Sequence, residues 1–295
     1  MKKVFYEEVI IENLQEVIMK LKLPRRQFFQ LGKTAIRYDW DAEGSTFLEF
    51  YVEEVNRELA KKELIALINL LSYLYHFDMM GSNDLYLREI EKPSEIPIGL
   101  EEVSNQNLKN IITFYNELNN LEEGVKKRIH RSIAYYARAL RLRDLTLHEE
   151  AFLVVYKSTE IICEYIYSQH YKESFNNGIE NVVKHLLKEH FAEEYQKKDK
   201  DLEISNAIVR ELKKLATARR KVMNCVTFLE LDMLKGDVGE IVQFRNKIGA
   251  HASSSNREIP MDLLMNAFSL SSFIISRMVN KNDDIIARIK GDQSF

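Results

Sequence analysis

The chain has 295 residues, 45% of them apolar and 29% charged, with a net charge of −3. This apolar content supports a buried core and excludes a disordered chain, while the small negative charge excludes a uniformly basic nucleic-acid coat, so an RNA site must be a local patch. The two cysteines, Cys163 and Cys225, sit in apolar helical patterns and fit buried, reduced thiols.

Glu7 and Glu8 come too early for the apolar core of a signal peptide, and no apolar run approaches a membrane span. The expectation is a cytoplasmic protein without a membrane partner. Ile36, Tyr38 and Trp40 alternate, Asp41-Ala42-Glu43-Gly44 supplies a turn, and Leu48, Phe50 and Val52 alternate again, which is the pattern of a β-hairpin. Residues 55–77 are rich in Leu and Ile on nearly every side and read as a buried helix. Gly81-Ser82-Asn83-Asp84 then turns into a strand over residues 85–90, and Pro93 and Pro97 mark a linker. Asp39, Asp41 and Glu43 crowd the hairpin tip, but no histidine lies near them and turns attract acids, so a solvated turn is expected rather than a metal site.

Residues 1–100 therefore read as a small α+β domain whose role is not legible, and residues 101–295 as an all-α helical domain, making the chain mainly α. Leu108, Ile111, Ile112, Tyr115, Leu118 and Leu121 form an amphipathic helix that Gly124 closes. The next helix, residues 125–143, carries Lys126, Lys127, Arg128, Arg131, Arg138, Arg141 and Arg143. These charges fit either a solvated face or a polyanion surface, with Lys127, Arg131 and Arg138 as candidate RNA contacts. Tyr135 and Tyr136 are candidate stacking platforms for unpaired bases, or core.

Thr146-Leu147-His148-Glu149 has the Ser/Thr-x-x-Glu form of a capping box, opening a helix to about residue 170. Its stripe of Leu153, Tyr156, Cys163 and Tyr167 is interrupted by Glu160. Further helices are expected over residues 179–187 and from residue 204 past Arg219-Arg220-Lys221. The polar stretch from Glu193 to Asp201 is read as an exposed exit between them. His185 and His190 are five apart, which does not place them on one helix face as a zinc pair.

Asp237 and Glu240 signal the start of a helix whose stripe is Val238, Ile241, Val242 and Ile248, and Arg245 occupies the position that completes it. A guanidinium keeps its charge, so on an apolar face it calls for an anionic partner. Glu160 poses the matching problem, and pairing the two solves both. His251 lies six residues beyond Arg245, about 120° away along an unbroken helix, so a left-handed Gly249 is expected to end the helix and turn the histidine back. Beyond it, Ala252-Ser253-Ser254-Ser255-Asn256-Arg257 reads as a loop, Pro260 as a helix start, residues 263–279 as a central or subunit-contacting helix, and Ile285, Ile286 and Ile289 as a short stripe.

Imidazole exchanges protons near neutral pH and guanidinium stabilises charge on phosphate oxygens, so Arg245 with His251 suits phosphodiester cleavage without a metal, RNA supplying its own 2′-hydroxyl nucleophile. The sequence has no phosphate-binding Gly-x-x-x-x-Gly-Lys-Ser/Thr loop and no Gly-x-Gly-x-x-Gly, and Gly81-Ser82-Asn83-Asp84 only echoes a nucleotidyltransferase signature.

The segment Arg245-Asn246-Lys247-Ile248-Gly249-Ala250-His251 resembles the Arg-x(4–6)-His signature of the HEPN superfamily, and Phe152 to Glu160 resembles the apolar run ending in Glu of its ApeA-like, abortive-infection branch. The resemblance implies a HEPN-like helical bundle and a metal-independent endoribonuclease needing no cofactor, in a toxin or anti-phage defence role. It implies Arg245, His251, Asn246 and Glu160 as catalytic-site residues, Lys247 as a further RNA contact, and a homodimer with both motifs in one cleft. An antitoxin or defence-system partner goes with that role. The alternative is a catalytically inactive HEPN-like module that binds RNA or a partner. The plainest reading is a structural Arg245–Glu160 pair with His251 an ordinary loop residue.

Overall fold

The structure is a computed structural model that describes residues 2–10, 28–40, 46–80, 85–93, 106–190, 200–213, 216–250 and 259–280. The chain is mainly α, with a small antiparallel sheet near the N-terminus. It divides into two compact units, one of Met1–Ser158 with Asn256–Phe295 and the other of Thr159–Ser255. The first takes in residues on both sides of residue 100, where a domain boundary was expected, and the linker residues 94–105 lie outside the described set.

In the first unit, strands β1 (Lys3–Ile10), β2 (Phe28–Leu31), β3 (Thr34–Trp40), β4 (Thr46–Glu54) and β5 (Arg88–Ile90) form one sheet in the order β2-β3-β4-β1-β5. The expected hairpin is β3 paired with β4, with Ile36 opposite Phe50 and Tyr38 opposite Leu48. All four side chains are buried, which is what alternation on a half-covered sheet selects. Asp39 is a correction: it lies in β3 and is buried rather than in a solvated turn, while Asp41 and Glu43 lie outside the described residues. The strand expected over residues 85–90 shortens to β5, because only Arg88–Ile90 pair with β1. Strands β1 and β2 carry no strict alternation and were not anticipated. Gly32, at φ 60°, supplies the positive φ of the two-residue turn that joins β2 to β3.

Helix α1 (Arg57–Tyr75) starts where Asn56 accepts from the Leu59 N–H at 2.9 Å and ends at a left-handed His76. Helices α2 (Gln106–Asn120) and α3 (Glu123–Asp144) follow. Gly124 does not close α2. It lies in the first turn of α3, where its carbonyl accepts from Arg128 at 2.6 Å. The core of this unit joins Tyr73 of α1, Tyr136 of α3 and Phe268 of α9 (Met261–Val279) in edge-on ring contacts 5.1–5.3 Å apart. Tyr73 also donates to the Ser272 carbonyl at 2.9 Å. Ser132 and Ser158 exchange side-chain to carbonyl bonds of 2.8 Å, and Ser271 donates to the Ser158 hydroxyl at 2.9 Å. Hydroxyls that satisfy one another let α3, α9 and helix α4 (His148–Ile166) approach without stranding any of these three serines.

Helix α4 (His148–Ile166) crosses the division between the units at Ser158. Thr146 is not its N-cap. At φ 60° it is the left-handed residue that ends α3, its N–H donating to the Arg143 carbonyl and that of Leu147 to the Leu142 carbonyl, both at 2.9 Å. That pair of bonds is the Schellman closure, and an N-cap needs an extended backbone instead.

In the second unit the chain does not break near residue 170. A π-helical turn, Tyr167–Tyr171, leads directly into α5 (Lys172–His190). The long helix expected from residue 204 is two, α6 (Lys200–Lys213) and α7 (Ala218–Phe228), because Thr217 is extended and its hydroxyl caps the Arg220 N–H at 3.3 Å. Helix α8 (Lys235–Ala250) completes the unit. Among the described residues no helix is long and apolar enough to cross a membrane.

Candidate functional site

Helix α8 buries Val238, Ile241 and Val242 along the expected stripe. Arg245 continues that stripe toward the C-terminal end of the helix, where cover thins, and its side chain keeps 39% of its exposure. Glu160 projects from α4 between the buried Tyr156 and Cys163, with its side chain 28% exposed. The expected pair forms, Arg245 Nη2 lying 3.7 Å from Glu160 Oε1. It is an ion pair of partly wetted groups, not the dry contact that two charges on core faces implied. Its contribution to stability falls to the surface scale of up to about 1 kcal/mol.

Arg245 Nη1 also donates to Asn246 Oδ1 at 3.2 Å, and Asn246 and Lys247 are exposed. The guanidinium is thus oriented by two oxygens and still reaches water, an arrangement that suits an anion arriving from outside. Gly249 does not end the helix, which continues to Ala250. His251 lies outside the described residues, as do the loop over residues 252–257, the stripe of Ile285, Ile286 and Ile289, the turn over residues 81–84, and most of the polar stretch that begins at Glu193.

On α3 of the first unit, Lys127, Arg131 and Arg138 are exposed. Helical geometry places them within an arc of about 40° and along about 17 Å of the axis, so they form one basic ridge. Lys127 is 3.9 Å from Glu123, and Arg131 lies over the Tyr135 ring at 5.9 Å from its centre. Tyr136 is not a stacking platform. It is fully buried, its hydroxyl 2.6 Å from His76 Nδ1. Arg143 leaves the ridge too, with Nη1 3.1 Å from His76 Nε2 and its guanidinium over Phe268. Because a guanidinium only donates, His76 Nε2 accepts, and Nδ1 carries the ring proton toward Tyr136. Lys247 belongs to the other unit, so the candidate RNA contacts are three on one ridge and one elsewhere.

Cys163 of α4 and Cys225 of α7 are buried and free. Burial, reinforced by a hydrogen bond with Cys225, pushes the Cys163 thiol well above its ordinary range, which keeps it protonated and inert. No group of three or more His, Cys, Asp or Glu among the described residues is placed to hold a metal ion.

Sequence patterns did not disclose a pocket of about 380 Å³ beside α5, with Arg220 and Asn224 of α7 in its lining. Its residues come from segments separated by some forty positions, and the π turn that shapes its rim has no composition signal. No protein-family model, curated protein or solved structure matches this chain.

Proposed function

We propose that the chain is a metal-independent endoribonuclease of HEPN type, acting on RNA in a toxin or anti-phage defence role. The observation that supports this is Arg245, a guanidinium oriented by Glu160 at 3.7 Å and Asn246 at 3.2 Å while open to solvent. A structural ion pair has no need of that openness, whereas a phosphate clamp does.

In the proposed reaction the 2′-hydroxyl gives its proton to a base and its oxygen attacks the adjacent phosphorus. The bond to the 5′-oxygen then breaks, and the departing oxygen takes a proton, leaving a 2′,3′-cyclic phosphate and a 5′-hydroxyl. Arg245 stabilises charge on the non-bridging oxygens, and His251 carries protons. Base and acid act on opposite sides of phosphorus, so two copies of His251 in a dimer cleft divide the work. The deciding experiment is RNA cleavage in the presence of a chelator by wild type and His251→Ala. Cleavage giving cyclic phosphate ends, lost in the variant, is the expected result, and a wild type inert toward a broad RNA panel overturns it.

The exposed ridge of Lys127, Arg131 and Arg138 favours a second reading, an RNA-binding module that does not cut. Under it the wild type binds RNA, the His251→Ala variant binds equally, and neither cleaves.

A further inference from the structure

The pocket in the second unit combines features that no part of the nuclease reading uses. One wall is a single face of α5 and the turn before it, since Tyr171, Phe175, Gly178 and Val182 recur at helical spacing. The other wall is Arg220 and Asn224, one turn apart on α7. Its volume of about 380 Å³ lies within the usual range for small-ligand sites, about 300–1,000 Å³.

Gly178 is the telling residue. A glycine inside a helix costs about 1 kcal/mol relative to alanine, so helix propensity does not account for it. At Gly178 an added Cβ meets nothing within 4 Å. Gly178 is exposed, so the helix backbone is bare on this side of the pocket, and a flat group can lie against it. Val182, beside it, is 56% exposed, an apolar surface without cover among the described residues.

The charge is equally one-sided. Arg220 is exposed and lies over the Phe175 ring, 4.1 Å from its centre, and among the described residues no carboxylate pairs with it. Its neighbour Lys221 is by contrast engaged by Glu164 at 2.6 Å. None of the lining residues among those described is acidic, while Ser174 and Asn224 add neutral donors. Such a site takes an anion joined to a planar, partly apolar body. The π-helical turn that ends at Tyr171 is the kind of helix irregularity that accompanies binding sites.

We infer that this pocket binds a nucleotide, its phosphate on Arg220 and its base in the slot over Gly178 between Phe175 and Val182. The same chemistry is offered by a free mononucleotide and by one unpaired residue of an RNA strand. The inference does not rest on cleavage, because neither Arg245 nor His251 takes part.

Calorimetric titration of the full chain tests it, with AMP, UMP, adenosine, inorganic phosphate and a non-cleavable 2′-O-methyl octamer as probes. Mononucleotides should bind at least tenfold more tightly than phosphate or adenosine. Gly178→Leu and Arg220→Gln should each weaken that binding at least tenfold. Leucine is the better helix former, so Gly178→Leu should keep or raise the melting temperature, which separates a blocked slot from a lost fold. Binding of the octamer alone, weakened in both variants, assigns the pocket to a strand. The inference is overturned if neither class of ligand binds, if phosphate binds as tightly as AMP, or if either variant binds like wild type. Cleavage assays on the same preparations judge the nuclease reading separately.

Discussion

Arg245 and Glu160 stand 3.7 Å apart with both side chains reaching solvent. Screened by water, the pair holds orientation more than it holds the fold together. Glu160→Ala should therefore cost no more than about 1 kcal/mol in urea denaturation, where stranding one member of a fully buried pair costs about 3–5 kcal/mol. If the pair serves RNA cleavage, activity in the same variant should fall at least tenfold, because the guanidinium loses an oxygen that aims it. A large stability loss with full activity per folded molecule would assign the pair to structure.

Thr146 offers a gain in stability. A β-branched residue at φ 60° crowds its own backbone, and the left-handed conformation costs an ordinary residue about 1–2 kcal/mol. The bonds from Thr146 and Leu147 to the last carbonyls of α3 depend on that conformation, not on the threonine side chain. Thr146→Gly should keep both bonds and raise stability by about 1 kcal/mol, read as a higher denaturation midpoint at unchanged slope.

The same residue shows where sequence reasoning stops. Thr146 and Glu149 have the spacing of a capping box, but one residue cannot be left-handed to end α3 and extended to start α4, and the closure of α3 prevailed. Where a signal was local and periodic it carried through: Ile36, Tyr38, Leu48 and Phe50 bury one sheet face, and Val238, Ile241 and Val242 bury one face of α8. The Glu160–Arg245 contact was legible because each charge interrupts such a stripe. Its wetness was not, since exposure depends on how far neighbouring elements cover a helix end. The π turn at Tyr167–Tyr171 and the meeting of Arg220 with Phe175 depend on packing across distant segments, and no residue type announces either.

His130 on α3 should make stability depend on pH. Burial, followed by the nearby Lys126 charge, lowers its pKa in the folded state, and Glu123 offsets this only in part. A depressed folded value means that the unfolded chain takes up the proton first, so stability is full above the unfolded value of about 6.5 and is lost as pH falls toward the folded value. Denaturation midpoints at pH 7.5 and pH 5.5 should therefore differ more for wild type than for His130→Gln, which has no proton to gain. Equal differences in the two proteins would remove His130 from the pH response.

A shared cleft makes a prediction that a self-sufficient protomer does not. Where base and acid are His251 from two subunits, a mixed dimer of wild type and His251→Ala holds one imidazole where two are required. Titrating wild type with excess variant should then lower activity per wild-type subunit at least fivefold. Subunit exchange is verified by native mass spectrometry of differently tagged chains. Arg245→Ala, added instead, should be similarly dominant, because each cleft also needs charge stabilisation on both sides of the phosphate. Unchanged activity per wild-type subunit, with exchange verified, would mean that one protomer carries the whole reaction, and a second proton carrier would then have to be sought within the chain itself.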